Sequence, residues 1–452
     1  MNLPQTFKIR MKNMLGQEYD DFERALEEKD IFSGVRVFRA KNGAREAVLH
    51  AAGELSPVPW CGAGYYADKS VLSGKHPYHA AGLFYFQEPS AMAAVEALDI
   101  QKHDYVLDLC AAPGGKATQA ADYLSGTGLL VANEIDRRRS FALAENIERF
   151  GITNALVTNE TPERLAERFE GFFDKIIVDA PCSGEGMFRK EPQAVSQWSE
   201  EYTRVCAERD KEIADCAVRM LRAGGKMVYS TCTFAPCEDE GIAEYILNTY
   251  MDMTLLPISH LSMLSPGCGD YIGSPRDFSA ARRIFPHKQN GEGHFIALFE
   301  KSGGVCGREK KDIRELKTDI LPYREFEKNT LKNIINGNFV LFGDELYRLP
   351  NGINSIDGLR VVRAGLHMGT YKKGRFEPSH ALALALSPTG VQRCLDFPHN
   401  SIEMQKYMRG EILPCDAVLS GWTLVSADGF SIGWGKASGG TLKNHFPKYL
   451  RI

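Results

Sequence analysis

Two cysteines stand where apolar runs end, each in company that suits chemistry. Residues 178–184 read VDAPCSG: the run closes on Asp179, Ala-Pro stops the extended backbone, and Cys182 precedes a turn. Residues 224–240 read GGKMVYSTCTFAPCEDE, and here another run ends at Thr231-Cys232-Thr233. In a doubly wound sheet the ends of two strands meet at the ligand crevice, which would bring Asp179, Cys182 and Cys232 together. A single cysteine is most often a buried, inert thiol. Two at strand ends beside a carboxylate are harder to dismiss.

A third segment, DLCAAPGGKATQ (108–119), follows the run YVLDLC. Its small residues Ala111, Ala112, Gly114 and Gly115 let backbone approach a ligand closely before a helix starts at Lys116, and amides at such a start suit a carboxylate. The spacing matches neither the dinucleotide fingerprint nor the phosphate loop. At the end of the next run, in VANEID, Glu134 is placed to accept hydrogen bonds from ribose hydroxyls. A nucleoside with a free carboxylate and no phosphate fits this set, and S-adenosylmethionine is such a ligand. The plainer alternative is a tight turn with a surface glutamate.

Thiols and a carboxylate beside a sulfonium methyl suit one problem well. Carbon 5 of a pyrimidine is too weak a nucleophile to take a methyl group unaided, but a thiolate adding to carbon 6 makes it an enamine carbon. Hydrogen bonds to the ring nitrogen and exocyclic amine offset the growing charge, and a carboxyl group such as Asp179 can supply them. A base then removes the carbon-5 proton and the thiol leaves. One thiol attacks and a second can help the product go; the residues alone leave open which is which.

The elements that must hold these residues are legible as repeats of strand and helix between about 105 and 301. The runs YVLDLC, GLLVANEI, ALVTN, KIIVDA, KMVYSTC and HFIALFEK alternate with helical segments such as FALAENIERFG, whose Gly151 suits a helix C-cap. Continuous rather than alternating apolar runs predict a parallel sheet covered on both faces, an open α/β domain of Rossmann-like type. Residues 1–75 form an N-terminal α/β extension, with GVRVF of strand character, and 76–303 the catalytic unit. The small, glycine-rich and charged stretch SGGVCGREKKD (302–312) reads as a linker, followed by small units over 311–375 and 376–452. In the last, Asp428-Gly429 within TLVSADGFSIGW predicts a hairpin.

Composition bounds the rest. A chain of 452 residues with 44% hydrophobic and 25% charged residues is too long for one core and ordinary for a globular protein. The net charge of −4 neither favours nor excludes nucleic acid, because binding follows local patches. The 11 scattered cysteines suit neither a disulfide framework nor zinc-ligand spacing, so no metal is expected. No apolar stretch would span a bilayer, and MNLPQTFKIRMKNMLGQEYDDFERAL lacks the apolar block of a signal peptide. The expectation is a cytoplasmic protein with no membrane partner.

The motifs CAAPGGK, DAPCSGEG and YSTCTF, in that order, strongly resemble the RNA cytosine-C5 methyltransferases of the Nol/Nop/Sun group. The likeness covers nearly the whole chain and is greatest to a bacterial small-subunit ribosomal RNA subgroup, through LPQTFKIRMKNML, FYFQEPSAM, GEGHFIALFEK and GWGKASGGTLKNHFPKYLR. The resemblance implies that Cys232 attacks carbon 6 and that Cys182 assists release; DNA cytosine methyltransferases attack with the other cysteine. It implies that Cys110, Ala111, Ala112, Pro113, Gly114, Gly115 and Lys116 wrap the methionine end of S-adenosyl-L-methionine. Glu134 would hold the ribose, Asp179 would lie between cofactor and base, and Arg139 matches a family arginine. The acidic residue on the adenine side falls near Thr161, with Glu160 or Asn159 as substitutes. Cys237 stands where the family more often has an acid and is read as a bystander.

It further implies a ferredoxin-like module over 311–375, a PUA-like RNA-binding domain over 376–452 and a monomer. The substrate implied is small-subunit ribosomal RNA, with transfer RNA, or a non-catalytic assembly factor, as alternatives. Arg282 and Arg283, the stretch RVVRAGLHMGTYKKGRF (360–376) and Lys436, Lys443, His445, Lys448 and Arg451 are candidate RNA contacts, with Tyr371 and Phe376 for stacking. Trp422 and Trp434 are read as core residues of the terminal domain.

Overall fold

The computed structural model describes residues 3–27, 32–67, 71–304 and 319–452. The expected linker, from residue 305 onward, and the start of the following module lie outside the described residues. Five motif-bearing runs form one sheet. Strands β1 (Tyr105–Asp108), β2 (Leu129–Asn133), β3 (Ala155–Thr158), β4 (Phe173–Asp179) and β5 (Leu221–Thr231) are parallel, in spatial order 3-2-1-4-5. Successive residues point to opposite faces. Val106, Leu130, Val157, Ile177 and Val228 enter one core, and Leu107, Val131, Leu156, Ile176 and Met227 the other. Both faces are therefore covered, as continuous apolar runs require.

The sixth run, β6 (His294–Lys301), departs from the all-parallel expectation: it pairs antiparallel with β5, Phe295 opposite Thr231. A run buried on both faces is compatible with either direction, so its composition carried no information on this point. At the far edge β7 (Val361–Ala364) pairs antiparallel with β3. The strand order reverses between β1 and β4, which opens the ligand crevice at their carboxyl ends.

The helices on this sheet are α1 (Gly115–Leu124), α2 (Arg137–Arg149), α3 (Pro162–Arg168), α4 (Glu200–Met220) and α5 (Glu240–Thr249). Helix α2 ends as its sequence predicts. Gly151 adopts φ +68°, its N–H bonds the Glu148 carbonyl, and Ile152 N–H bonds the Ile147 carbonyl. A Cβ there would also lie 2.3 Å from the Leu384 carbonyl oxygen, so the close approach of helix His380–Ala385 equally demands glycine.

N-terminal to the sheet, helices Gln5–Leu15 and Tyr19–Glu27 bury Phe7 and Phe22 against Phe188, Trp198 and Phe234. A four-stranded antiparallel sheet follows, in which Gly34–Val37 lies between Gly64–Tyr66 and Phe84–Phe86. After the ten-stranded sheet, Phe339–Phe342, Glu345–Arg348, Leu366–Lys372 and Arg375–Pro378 form an antiparallel sheet in sequential order beside helix Leu321–Thr330. That order corrects the ferredoxin-like expectation, which requires two helices and a split strand order. The terminal domain is a five-stranded sheet whose hairpin turns at Asp428-Gly429 with φ +48° and +82°, the two positive values a type I′ turn needs. Trp434 is buried in its core and Trp422 packs half-buried beside it. Among the described residues no helix is long and apolar enough to cross a membrane.

Candidate active site

The carboxyl ends of β1, β2, β4 and β5 line one cavity of about 980 Å³. Asp179 ends β4, and Cys182 follows it after Ala-Pro; Cys232 follows β5 directly. Neighbouring parallel strands carry the two loops together, so that Cys182 Sγ and Cys232 Sγ are 3.3 Å apart, both free thiols. The hydrogen bond to Cys232, burial and the nearby Glu238 charge push the Cys182 thiol well above its ordinary value, so Cys182 stays protonated near neutrality. Cys110 also lines the cavity, and burial with the charges of Asp108, Glu134 and Asp179 pushes it up as well, which leaves it inert.

Behind the cysteines, a buried carboxylate ties the two loops. Ser183 N–H and Oγ–H both donate to Glu238, at 2.7 and 2.5 Å, and Ser183 Oγ lies 2.8 Å from Thr233 Oγ1. Glu185 in turn accepts from Trp198 Nε1 at 2.7 Å and pairs with Arg10 of the N-terminal helix. These contacts fix the thiol separation through Ser183, Glu185 and Thr233, which lie inside the motifs, and through Glu238, Trp198 and Arg10, which lie outside them.

Lys116, from the first turn of α1, reaches Asp179 at 2.7 Å, and Ser230 Oγ–H donates to the other carboxylate oxygen at 3.0 Å. Burial raises Asp179, but Lys116, His294 and these hydrogen bonds outweigh it and hold the carboxyl below its usual range. Asp108 contrasts with it: fully buried and near the Asp179 and Glu134 charges, it is pushed up to about 8, and neither of its oxygens has a hydrogen-bond partner. One acid of this pair is thus held ionised and the other protonated near neutrality.

On the other side of the loop, Arg139 bonds the Ala112 carbonyl at 2.8 Å and reaches Glu134 at 3.4 Å. It clamps the end of β1 to the end of β2. Glu134 is buried, accepts from Asp136 N–H and faces the cavity beside Ile135, which is 63% exposed. Ala111, Ala112, Pro113 and Gly115 line the same wall, while Gly114 turns the chain at φ +115° against α2. Thr161 lines the cavity and caps α3. Glu160 does not line it; its oxygens face Arg360 N–H at 2.7 Å and Arg164 at 2.9 Å.

Several residues here lie outside the three motifs. His294 lines the cavity from the start of β6, a position decided by the antiparallel pairing. Arg209 of α4 holds the Pro181 carbonyl, and Gln87 reaches in from the N-terminal domain. Arg36, fully buried, links that domain to the start of α1, donating to Gln87 at 2.8 Å, Thr118 Oγ1 at 2.7 Å and the Gly115 carbonyl at 3.2 Å. Cys237 lies in a separate hollow with Thr203 and Cys268.

The candidate RNA contacts divide. Arg283 is 1% exposed and paired with Asp239 and Glu240, because strand alternation turns it inward, and Phe376 and Arg363 are likewise buried. These three are not available to a nucleic acid. Lys436, Lys443, Lys448 and Arg451 are exposed, and Lys436 stands over the Trp422 ring.

Known proteins are similar to this chain in sequence and fold. Residues 95–300 match the family model of the 16S rRNA methyltransferase RsmB/F, and 3–89, 325–386 and 394–452 match the N-terminal, first C-terminal and PUA domain models of RsmF methyltransferases. The ribosomal RNA small subunit methyltransferase F of Escherichia coli is 30% identical over 472 residues, spanning 99% of this chain and 96% of its own. That of Shewanella piezotolerans is 31% identical over 419 residues, spanning 88% and 85%. A methyltransferase homolog protein from Pyrococcus horikoshii is 27% identical over 66% of this chain and 96% of its own, with TM-score 0.60. NSun6 from the same organism, solved with SFG, shares the fold at TM-score 0.59 and 21% identity, covering 67% of this chain and 99% of its own.

Proposed function

Since the chain belongs to the 16S rRNA methyltransferase RsmB/F family, we propose that it methylates carbon 5 of a cytosine in small-subunit ribosomal RNA, in the cytoplasm, using S-adenosyl-L-methionine. The observation that carries this reading is the thiol pair, 3.3 Å apart in one cavity with the ionised Asp179. A protein or small-molecule methyl acceptor would leave the second thiol without a task.

The cavity suits the cofactor. Glu134 offers a buried carboxylate for the ribose and Ile135 an exposed apolar face for the adenine. The Cys110–Lys116 loop supplies close backbone for the methionine end. When bound, S-adenosyl-L-methionine supplies an electrophilic sulfonium methyl.

Cys232 attacks carbon 6 of a flipped-out or unpaired cytosine, since a stacked base cannot present that carbon. Once carbon 5 carries the methyl group, a solvent water removes its proton, and the freed electron pair re-forms the carbon 5–carbon 6 double bond and expels the Cys232 sulfur. Cys182, which keeps its own proton until then, hands it to that sulfur. Asp179, held ionised by Lys116, accepts a hydrogen bond from the exocyclic amine and orients the base. The exposed lysines of the terminal domain hold the RNA backbone.

Ribosomal RNA containing 5-fluorocytosine tests this, because fluorine blocks elimination and traps the enzyme on its substrate. The adduct is expected with Cys182→Ala and absent with Cys232→Ala. The reverse pattern would move attack to Cys182, and no adduct with wild-type protein would refute the covalent route. Bisulfite maps of RNA from cells with and without the protein test the substrate; an unchanged small-subunit map would remove the ribosomal assignment.

A further inference from the structure

One polar side chain in the cavity has no part in the reaction as written above. His294 is 3% exposed, yet it lines the cavity with Lys116, Asp179, Cys182 and Cys232. Neither ring nitrogen makes a well-formed hydrogen bond; the Gly293 carbonyl pulls on the ring only weakly, and the nearest charged oxygen, Asp179 Oδ1, lies 3.7 Å from Nε2. An unpaired buried donor or acceptor costs about 1–3 kcal/mol, so a ring left with both unpaired is poised for something that enters. Its neighbours point to what enters. The β5–β6 register sets Phe295 opposite Thr231, which brings His294 beside the loop bearing the attacking thiol.

Burial and Lys116 push the imidazole down to about 4, against the opposing pull of Asp179 and Glu88 and the Gly293 carbonyl. The ring is therefore neutral near pH 7, with one N–H to donate. So depressed a group is a feeble proton acceptor, which argues against a role as the base for the carbon-5 proton. As an uncharged donor it resembles the neutral histidines that polarise carbonyl groups in other enzymes.

We propose that His294 is a catalytic residue that donates its ring N–H to the acceptor edge of the target pyrimidine, at N3, beside the amine held by Asp179. When the Cys232 sulfur bonds carbon 6, the carbon 5–carbon 6 π electrons shift through carbon 4 onto N3, and the negative charge develops where the His294 N–H points. No proton is transferred; the hydrogen bond strengthens during addition and relaxes during elimination. The inference rests on the covalent reading above, which wild-type adduct formation tests by itself.

The test is the single-turnover rate of adduct formation on 5-fluorocytosine RNA, measured beside calorimetric binding of the cofactor. His294→Met and His294→Phe remove the donor, whereas His294→Gln keeps an N–H. Loss of one donor aimed at developing charge slows reaction about 100-fold or more, so both apolar variants should slow by that factor. The Gln variant should react at least about tenfold faster than either, and all three should keep cofactor Kd within about twofold of wild type. Apolar variants within about threefold of the wild-type rate would overturn the proposal. So would a Gln variant no faster than they are, or cofactor affinity falling in step with the rate in all three. Absence of adduct from the wild type would instead fall on the covalent reading.

Discussion

Glu238 holds the two cysteine loops together at an electrostatic cost that depends on pH. It is fully buried, and burial, only partly offset by the two Ser183 hydrogen bonds, raises its carboxyl from 4.5 to about 7. Below pH 4.5 the folded and unfolded states are both protonated and nothing is lost. Between 4.5 and 7 the unfolded chain gives up its proton while the folded chain keeps it, so stability falls as pH rises. Above 7 the loss is complete at about 3 kcal/mol, since each pKa unit is worth about 1.4 kcal/mol.

Glu238→Gln removes that dependence and keeps one acceptor for Ser183. At pH 5 the variant should be less stable by about 1–2 kcal/mol, from its lost second acceptor. At pH 8 it should match or exceed the wild type, so the two curves cross. Amide hydrogen exchange of residues 183–187 and 231–239, at several pH values from 5 to 8, reads local stability without assuming a single unfolding step for a multidomain chain. Asp108, also raised to about 8, tilts both proteins equally and drops out of the difference. Asp210, raised to about 8 in part by the Glu238 charge, tilts the variant less and widens the difference in the same direction. Parallel stability lines for wild type and variant would refute the reasoning.

Other outcomes follow from contacts that reach the site from further away. Arg36→Met leaves Gln87 and Thr118 without their buried partner, and should weaken cofactor binding about tenfold in a calorimetric titration while costing about 2–4 kcal/mol of stability. Gly151→Ala forces a Cβ to within 2.3 Å of the Leu384 carbonyl oxygen at a left-handed φ. Chemical denaturation should register a loss of about 2–4 kcal/mol, with cofactor affinity unchanged.

Much of this site is legible in short stretches of chain. An apolar run ending in Asp-Ala-Pro-Cys or Ser-Thr-Cys fixes a thiol at a strand end, because a strand stops where proline removes a donor and small polar residues turn the backbone. The glycine at 151 and the Asp428-Gly429 hairpin were equally readable, since a positive φ is a local demand that few residues meet. Even the meeting of Cys182 with Cys232 follows from strand order once the sheet is recognised as doubly wound.

The tertiary structure decided what faces what. Arg283 reads as a basic patch and is an interior ion pair; Phe376 reads as a stacking platform and is core. His294 sits in a run that spells only a buried strand, and the direction of β6 turned it into a wall of the cavity. Glu238 finds Ser183 across two strands and their loops. The difference is physical: turns, caps and strand ends are settled by the conformational preferences of a few consecutive residues. A side chain's partner depends on register and strand direction, which are set by packing the whole sheet at once.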